Sequence, residues 1–291
     1  MGRTDSWHLR EGDEITADLT AMKFLGGGSA YEVYLAFDEI TYAPVVVKLV
    51  RPDQLDDEHT LRGLEREVAA LEHVNHPVVV RGLRSDLASE RPHAVLEHIE
   101  GPRLSSLVRR YGALQEPQYL PLAVDIASAL HYFRHVDVVH LDIKPSNVIM
   151  GSPARLIDLS IARPSERARG AERLGTDAYM SPEQVDTDRF GEPGFASDVW
   201  GLGATLFHAV AGYRAFAEGD PDAGELSRQY PQVAESPREL PDRVPAEVMK
   251  VLGAMLDREP SNRPVPSEVV DALEPVVAAQ PAPRLTFKVR G

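Results

Sequence analysis

The stretch His140-Leu141-Asp142-Ile143-Lys144-Pro145-Ser146-Asn147 brings three chemically useful side chains close together in the chain. The carboxylate of Asp142 can orient and deprotonate a hydroxyl group, and the ammonium of Lys144 can neutralise a phosphoryl group during its transfer. The amide oxygen of Asn147 is a ligand that Mg²⁺ accepts. The other interpretation is a polar turn after the strand-like Val138-Val139, but the full string is too specific for an ordinary turn. The stretch therefore predicts a site where a hydroxyl and a phosphoryl group meet.

A second carboxylate follows at the end of an apolar strand. Asp158 closes the run Leu156-Ile157-Asp158, which places it at a strand end beside Asn147. Mg²⁺ is usually held by one or two carboxylates together with substrate phosphates. Asn147 and Asp158 are therefore the predicted metal ligands.

A glycine cluster lies near the start of the chain, in Leu25-Gly26-Gly27-Gly28-Ser29-Ala30. Glycine adopts positive φ and lets the backbone approach a phosphate closely. Taken alone, such a cluster is more often an ordinary turn. Val33 follows at the spacing G-x-G-x-x-x-x-V and Lys48 lies at the end of the next strand, and these two features favour a nucleotide-binding loop.

Lys48 lies in the apolar strand predicted for Val45–Val50, where an unpaired ammonium would be costly. Glu67 is its natural partner, because it lies on the inner side of the helix predicted for Thr60–His73 from apolar residues at three- and four-residue steps. Taken alone, each residue is more often a surface charge. Together with the glycine loop they predict a clamp for phosphate groups.

Composition restricts the function classes. The chain has 291 residues, of which 43% are apolar and 26% charged, and this is usual for a soluble globular protein. Its net charge of −14 argues against a nucleic-acid partner. The lack of cysteine excludes disulfides and thiolate chemistry and fits a reducing compartment. No apolar run approaches the roughly 18 residues of a membrane span, and no signal peptide is present, so we expect a cytoplasmic protein.

The order of the predicted elements indicates two lobes with a cleft between them. The first hundred residues are mainly strands with one helix. The predicted strands are Val33–Phe37, Val45–Val50, Val78–Val80 and Ala94–Leu96. The chain then becomes helical. The predicted helices are Leu120–Phe133, Val199–Val210, Val248–Leu256 and Val269–Val277.

In this order and spacing, the motifs resemble a Hanks-type protein kinase of the bacterial serine/threonine class, from about Phe24 to Val277. The further segments that carry the resemblance are Asn75-His76-Pro77, Leu96-Glu97-His98-Ile99, Asp158-Leu159-Ser160, Gly175-Thr176, Tyr179-Met180-Ser181-Pro182-Glu183, Ser197-Asp198-Val199-Trp200-Gly201 and Arg263-Pro264. The resemblance implies an α+β bilobal fold, with a small antiparallel sheet lobe plus one helix and a larger, mainly helical lobe.

Domain boundaries follow from the same resemblance. The expected parts are an N-terminal arm at 1–20, a kinase domain at 21–278 and a C-terminal tail at 279–291. Within the domain we expect an upper lobe at 21–97, a hinge at 97–101 and a lower lobe at 102–278.

The resemblance also implies ATP with Mg²⁺, or Mn²⁺ in its place, and protein Ser/Thr side chains as substrates. Asp142 would accept the hydroxyl proton and Lys144 would stabilise the γ-phosphate. Lys48, paired with Glu67, would contact the α- and β-phosphates. The predicted nucleotide-binding residues are Leu25, Gly26, Gly27, Gly28, Val33, Val46, Lys48, Leu96, Glu97, Ile99, Ile149 and Asp158.

Several family roles are carried over in more detail. The Glu97 carbonyl and Ile99 amide would hydrogen-bond adenine, with Leu96 as gatekeeper. The base would lie between Val33, Val46 and Ile149. Three further residues would have structural roles. Glu183 would pair with Arg263, and Asp198 would brace the catalytic loop. Lys144 and Thr176 resemble the serine/threonine class rather than the tyrosine class.

Leu141 departs from the family pattern, because many kinases have arginine there to bind a phosphate on the activation loop. The loop from Ile161 to Leu174 agrees, since Ser165 is its only hydroxyl. The sequence therefore predicts a non-RD kinase that is active without activation-loop phosphorylation.

Other departures concern the nucleotide site. Leu159-Ser160 replaces Phe-Gly, so a flipped-out Asp158 should be less accessible. Val46 narrows the space above adenine, and Tyr31 occupies the third glycine position. Leu141, Val46 and the altered metal motif keep open a pseudokinase that binds ATP or acts as a scaffold. A small-molecule kinase of similar fold is a further alternative, against which the segment from Thr176 to Glu183 argues, because it resembles a docking platform for peptide substrates. A homodimer formed through the upper lobe is expected by family analogy only.

Overall fold

A computed structural model describes residues 5–170 and 173–280. Most of the tail predicted at 279–291 lies outside the described residues, as does the start of the N-terminal arm. None of the described helices is both long and apolar enough to pass through a bilayer.

The upper lobe is built on an antiparallel six-stranded sheet with the order β1-β2-β3-β4-β6-β5. Its strands are β1 (Glu14–Thr16), β2 (Leu19–Gly27), β3 (Tyr31–Asp38), β4 (Ala43–Val50), β5 (Gly82–Asp86) and β6 (His93–Glu97). The predicted strands Val33–Phe37 and Val45–Val50 lie in β3 and β4, which form a hairpin and pair along their whole length. The first strand lies within the segment predicted as an N-terminal arm.

Strand β4 shows why Lys48 points to the cleft. Val45, Val47 and Leu49 alternate along one face and are buried in the core of the sheet lobe. Because successive side chains point to opposite faces, Val46 and Lys48 lie on the other face. The apolar run therefore fixes the direction of the one ammonium group that interrupts it.

Helix α1 (Glu58–His73) packs against this sheet and carries Glu67. The carboxylate of Asp57 caps the helix, because it accepts a hydrogen bond from the backbone N–H of Thr60 at 2.8 Å. The predicted periodicity is confirmed, since Leu64, Glu67 and Leu71 are buried on one face.

The strand predicted at Val78–Val80 is wrong. These residues are buried in the main core, and a single parallel bridge joins Val79 to Leu156. The apolar run reflects packing between the two lobes rather than membership of a sheet. Strand β5, which the sequence reading missed, is largely exposed and therefore lacks an apolar signal.

The lower lobe is mainly helical around a short two-stranded sheet. Its strands are β7 (Val148–Ile149) and β8 (Arg155–Leu156). Its helices are α2 (Leu104–Tyr111), α3 (Glu116–His135), α4 (Ser165–Ala168), α5 (Pro182–Val185), α6 (Thr187–Phe190), α7 (Phe195–Ala211), α8 (Leu226–Gln229), α9 (Ala246–Met255) and α10 (Pro266–Ala278). The four long helices predicted from the sequence are confirmed as α3, α7, α9 and α10.

Helix α7 is the centre of the lower lobe, and nearly all of its residues are buried, as its apolar composition predicts. Arg263 donates two hydrogen bonds to the Glu183 carboxylate at 2.6 and 2.8 Å. Both side chains are almost fully buried, so each charge depends on the other. The predicted Glu183–Arg263 pair is therefore present and joins α5 to the segment before α10.

Candidate active site

A cleft of about 290 Å³ lies between the lobes and collects most of the predicted nucleotide-binding residues. The predicted residues that line it are Leu25, Val33, Val46, Lys48, Glu67, Leu96, Glu97, Ile99, Asn147, Ile149 and Asp158. Further lining residues, not predicted, are Val80, His98, Gly101, Arg103 and Ile157. Gly26, Gly27 and Gly28 are not among the lining residues.

The ion pair predicted from the sequence is present in the cleft. The Nζ of Lys48 lies 2.5 Å from Oε2 of Glu67 and 3.6 Å from Oδ1 of Asp158. Burial alone would lower the pKa of Lys48, but the two carboxylates outweigh it and hold that pKa above its usual value. Lys48 is therefore a fixed positive charge facing the cleft.

Tyr31 supports Lys48 from a position that the sequence reading treated only as a missing glycine. Its ring centroid lies 4.7 Å from the ammonium nitrogen of Lys48, within cation–π range. Its hydroxyl donates a 2.7 Å hydrogen bond to the carbonyl of Thr60 in α1. Tyr31 thus links the glycine loop, Lys48 and the helix that carries Glu67.

Asp142 is held by three side chains from the catalytic loop and the following segment. Lys144 donates to its Oδ2 at 2.6 Å, and the Thr176 hydroxyl donates to its Oδ1 at 2.8 Å. Lys144 also donates to Thr176 at 2.7 Å, which closes a triangle of contacts. The amide nitrogen of Asn147 donates to Oδ2 and to the carbonyl of Asp142. These bonds hold the carboxylate in one orientation, with 11% of the side chain exposed.

Asp198 at the start of α7 fixes the backbone of the catalytic loop. Its carboxylate accepts hydrogen bonds from the backbone N–H groups of His140 and Leu141 at 2.8 and 2.7 Å. Burial raises the pKa of Asp198 to about 7, and these two bonds oppose the rise. Leu141 has φ of 66°, a left-handed conformation that non-glycine residues rarely adopt. The predicted brace is therefore present, and it holds a strained turn.

Leu141 lies among apolar residues rather than in the site. It is 5% exposed and clusters with Val139 and with Ala168 of α4, against Ile161 and Phe195. An apolar contact therefore joins the catalytic loop to the following segment at the position where an arginine and a phosphate would otherwise meet.

Asp158 lines the cleft. Like Leu141, it has a left-handed backbone conformation, with φ of 70°. Burial opposes its ionised form, but the charge of Lys48 and the hydrogen bond from Ser160, with smaller contributions from other nearby groups, together lower the pKa of Asp158. Leu159 behind it is fully buried in the main core. The flipped-out arrangement that the sequence disfavoured is not the one that the structure shows.

The donor set at Asn147 and Asp158 fits a hard divalent cation. Asp158 is ionised and partly exposed, and Asn147 turns its amide nitrogen to Asp142, which leaves its oxygen for a cation. Oxygen ligands of this kind suit Mg²⁺ or Mn²⁺. Within residues 5–170 and 173–280 no cluster of three or more His, Asp or Glu side chains is placed to hold a metal. Substrate phosphates would have to complete the coordination.

The glycine loop is fixed by Arg51, a residue that the sequence reading did not identify. Its guanidinium donates to the Gly28 carbonyl at 2.7 Å and to the buried carboxylate of Glu32 at 2.7 Å. It also donates to the carbonyl of Asp5 at 2.9 Å. At Gly27 a Cβ atom would lie 2.3 Å from the Tyr31 carbonyl oxygen, so this turn accepts only glycine.

A sheet lobe above a helical lobe, with Lys48–Glu67 on one side of the cleft and Asp142 on the other, defines the bilobal protein kinase architecture. The chain belongs to the protein kinase family, because the family profile described as protein kinase domain matches residues 19–273. The resemblance inferred from the sequence motifs is confirmed at this level.

Several bacterial serine/threonine-protein kinases are similar to this chain. A probable serine/threonine-protein kinase, PkwA of Thermomonospora curvata, is 32% identical over 254 residues, which cover 86% of this chain and 33% of that protein. PknB of Mycobacterium tuberculosis is 28% identical over 255 residues, covering 83% of this chain and 40% of that protein. PknA of Corynebacterium glutamicum is 28% identical, covering 86% and 54% respectively. The chain thus spans about a third to a half of the length of these curated relatives.

Proposed function

We propose that the chain is a serine/threonine protein kinase that transfers the γ-phosphoryl group of ATP to hydroxyl groups of protein substrates. The observation that carries the proposal is the triangle of Asp142, Lys144 and Thr176, held opposite the Lys48–Glu67 pair. It combines a carboxylate for the hydroxyl proton with two cations for the phosphates.

The chain's own residues have separate tasks in this reaction. Asp142 orients the substrate hydroxyl and accepts its proton, because the bonds from Lys144 and Thr176 hold its carboxylate in one orientation. Lys144, which contacts Asp142, neutralises the γ-phosphoryl group on the acceptor side. Lys48 binds the α- and β-phosphates from the other side of the cleft.

The nucleotide is placed by apolar and backbone groups. Val33 and Val46 face the cleft from the sheet lobe and Ile149 faces it from the helical lobe, so they enclose the adenine ring. The side chain of Glu97 is engaged by Arg81 and Arg155, so its backbone carbonyl is the group that we assign to the base. The amide of Ile99 completes the hinge contacts.

Asn147 and Asp158 hold the divalent cation in this proposal. A cation bound there neutralises charge on the phosphate oxygens of the nucleotide. The Lys48–Asp158 distance of 3.6 Å supports this assignment, because the ammonium and the carboxylate are close enough to act on one phosphate group.

Transfer to serine or threonine is favoured over transfer to tyrosine by the bond between Thr176 and Lys144 at 2.7 Å. It brings the segment after the activation loop close to Asp142, as the resemblance to the serine/threonine class implies.

Activity without activation-loop phosphorylation is the second part of the proposal. Leu141 and Ala168 supply an apolar contact between the catalytic loop and α4, and this contact needs no phosphate. That the protein works in the cytoplasm, and that it forms homodimers through the upper lobe, stay predictions from the sequence.

The deciding experiment measures phosphate transfer from labelled ATP to a generic protein and to the chain itself with Mg²⁺. The control is Asp142→Asn, which keeps the shape and removes the base. Transfer by the wild type that is lost in Asp142→Asn supports the proposal. ATP binding without any transfer would favour the pseudokinase, and transfer only to a small metabolite would favour the small-molecule kinase.

A further inference from the structure

A second groove, of about 710 Å³, begins at Lys144 and Thr176, the residues that contact Asp142. We call it the arginine groove. It shares no lining residue with the nucleotide cleft. A protein substrate whose hydroxyl group reaches Asp142 must therefore place its neighbouring residues in or near this groove.

The walls of the arginine groove carry two guanidinium groups. Arg109 comes from the last turn of α2, and Arg214 follows the end of α7. Between them lie Tyr179 and His208, whose rings are nearly parallel and are joined by a 2.8 Å hydrogen bond from the tyrosine oxygen to Nδ1. The two rings form the floor of the groove, and both arginines are exposed to solvent.

The charge of the groove is opposite to that of the protein. The chain has a net charge of −14, yet no Asp or Glu lines this groove. Lys144 is occupied by Asp142 at 2.6 Å. In the part of the chain that the structure describes, neither Arg109 nor Arg214 has a carboxylate within ion-pair distance.

The floor does not supply the missing negative charge. Burial lowers the pKa of His208, and the nearby Arg214 adds to this effect, so the imidazole is neutral near pH 7. Burial also raises the pKa of the Tyr179 hydroxyl, although Arg214 opposes the rise. The groove therefore presents two positive charges over a neutral surface.

The adjoining groove, of about 520 Å³, provides an internal comparison. It shares Thr176 and Arg214 with the arginine groove but is also lined by Asp177 and Glu218. Its two carboxylates outnumber its one arginine, so the excess of positive charge is confined to the arginine groove.

We propose that the arginine groove binds the carboxylate of an Asp or Glu residue of the protein substrate, a few residues from the phosphorylated hydroxyl. Guanidinium groups match carboxylates in geometry and form charge-assisted hydrogen bonds with them. An extended peptide advances about 3.3 Å per residue, so a groove that starts at Asp142's partners receives the nearest neighbours of the acceptor. This inference rests on the proposed kinase function and names its substrate class.

The test uses matched serine peptides that differ only in the residues beside the acceptor, which are Glu, Gln, Lys or phosphoserine. We would measure kcat/KM for each peptide. We would also measure the affinity of each peptide by fluorescence anisotropy in the presence of a non-hydrolysable ATP analogue. Two exposed ion pairs are expected to favour Glu over Gln by about tenfold, with Lys weaker still. In R109Q/R214Q the ratio of Glu to Gln should fall to about one.

The matched control is R110Q. Arg110 is exposed on the same helix and lies over the ring of Tyr111, outside the groove lining. It should keep the Glu preference. ATP affinity and melting temperature of the double variant show whether its fold is intact.

Four outcomes would overturn the proposal. These are equal use of Glu and Gln peptides, a preference for Lys, a Glu preference that survives in R109Q/R214Q, and a preference for phosphoserine alone, which would assign the groove to phosphate instead. The affinity measurement separates this proposal from the proposed function. If no peptide is phosphorylated but Glu peptides bind through the two arginines, the kinase proposal fails and the groove stands.

Discussion

At the scale of single residues, Lys48 illustrates how a charge is kept inside a protein. Its side chain is 11% exposed and faces the cleft from β4. The hydration that the ammonium loses is replaced by the carboxylates of Glu67 and Asp158 and by the ring of Tyr31. The side chain of Asp142 in the catalytic loop is equally little exposed, at 11%, and is oriented by hydrogen bonds from Lys144 and Thr176.

The change Glu67→Gln tests this dependence. Without the Glu67 carboxylate, the main interaction that offsets the burial of the Lys48 ammonium is lost, and the ammonium is less firmly held. We expect kcat/KM for ATP to fall about a hundredfold, the usual effect of removing one preorganised electrostatic contact. Steady-state kinetics over a range of ATP concentrations measure it.

The control for this change is Glu65→Gln, since Glu65 is exposed on the same helix. It should remain within about twofold of the wild type, as is usual for a surface charge. Equal losses in both variants would mean that the effect comes from the helix and not from the ion pair.

Arg51 is a positioning residue, because it acts on nucleotide binding through the Gly28 carbonyl. Arg51→Lys keeps the charge but cannot reach Gly28, Glu32 and Asp5 together, since lysine lacks the guanidinium fork. We expect KM for ATP to rise about fivefold to tenfold, the value of one well-placed hydrogen bond, with kcat little changed. A matching fall in kcat with unchanged KM would contradict this role. Arg62→Lys, an exposed change on α1, serves as control.

At the scale of elements, the contact between the catalytic loop and α4 determines how the activation segment is held. Leu141 and Ala168 are both buried in one apolar cluster. We expect phosphatase treatment to leave peptide phosphorylation unchanged, and Ser165→Ala to behave like the wild type. An approximately tenfold loss on treatment would contradict the proposal, because it exceeds what a surface charge normally contributes.

The β3–β4 hairpin is fixed to the edge strand β5 by Asp38 and Arg84. Two guanidinium nitrogens donate to the carboxylate at 2.8 and 2.7 Å, and the side chain of Asp38 is fully buried. The hydrogen bonds from Arg84 lower the pKa of Asp38 well below its usual range. Asp38 therefore stabilises the fold above its unfolded pKa of about 3.9, and this contribution is lost as the pH falls towards the folded value.

Asp38→Asn should cost about 2 to 3 kcal/mol near pH 7, because it leaves Arg84 without its partner. The difference from the wild type should be constant above about pH 5 and should shrink below pH 4. Melting temperature against pH measures it. Glu58→Gln removes an exposed pair with Arg62 and should have almost no effect at any pH. A difference that grows on acidification would refute the assignment.

At the scale of the whole molecule, the two halves of the site belong to different lobes. The sheet lobe holds Lys48 and the glycine loop, whereas α7 holds the catalytic loop through Asp198. Both sets of residues therefore face the same cleft only while the lobes keep their relative position. The Lys48–Asp158 contact joins the two lobes across the cleft.

Much of this arrangement could be predicted from the sequence, because short motifs encode it locally. Asp142, Lys144 and Asn147 lie within one loop, and the spacing of Glu67 on its helix fixes its direction. Strand β5 could not be predicted, because an exposed edge strand has no apolar alternation. Arg51 and Tyr31 gain their contacts only when distant segments meet, so no local pattern marks them. The arginine groove could not be predicted for the same reason, because its lining residues come from distant segments.

Trp7 is one of two tryptophans in the chain, and it lies where the N-terminal segment meets the sheet lobe. Its indole N–H donates to the Val50 carbonyl at 2.8 Å, next to Arg51, and Arg91 lies over its ring. The other, Trp200, is buried against Phe216 in the lower lobe. In a Trp200→Phe background the protein thus contains its own optical probe, whose emission would follow the nucleotide loop without any label.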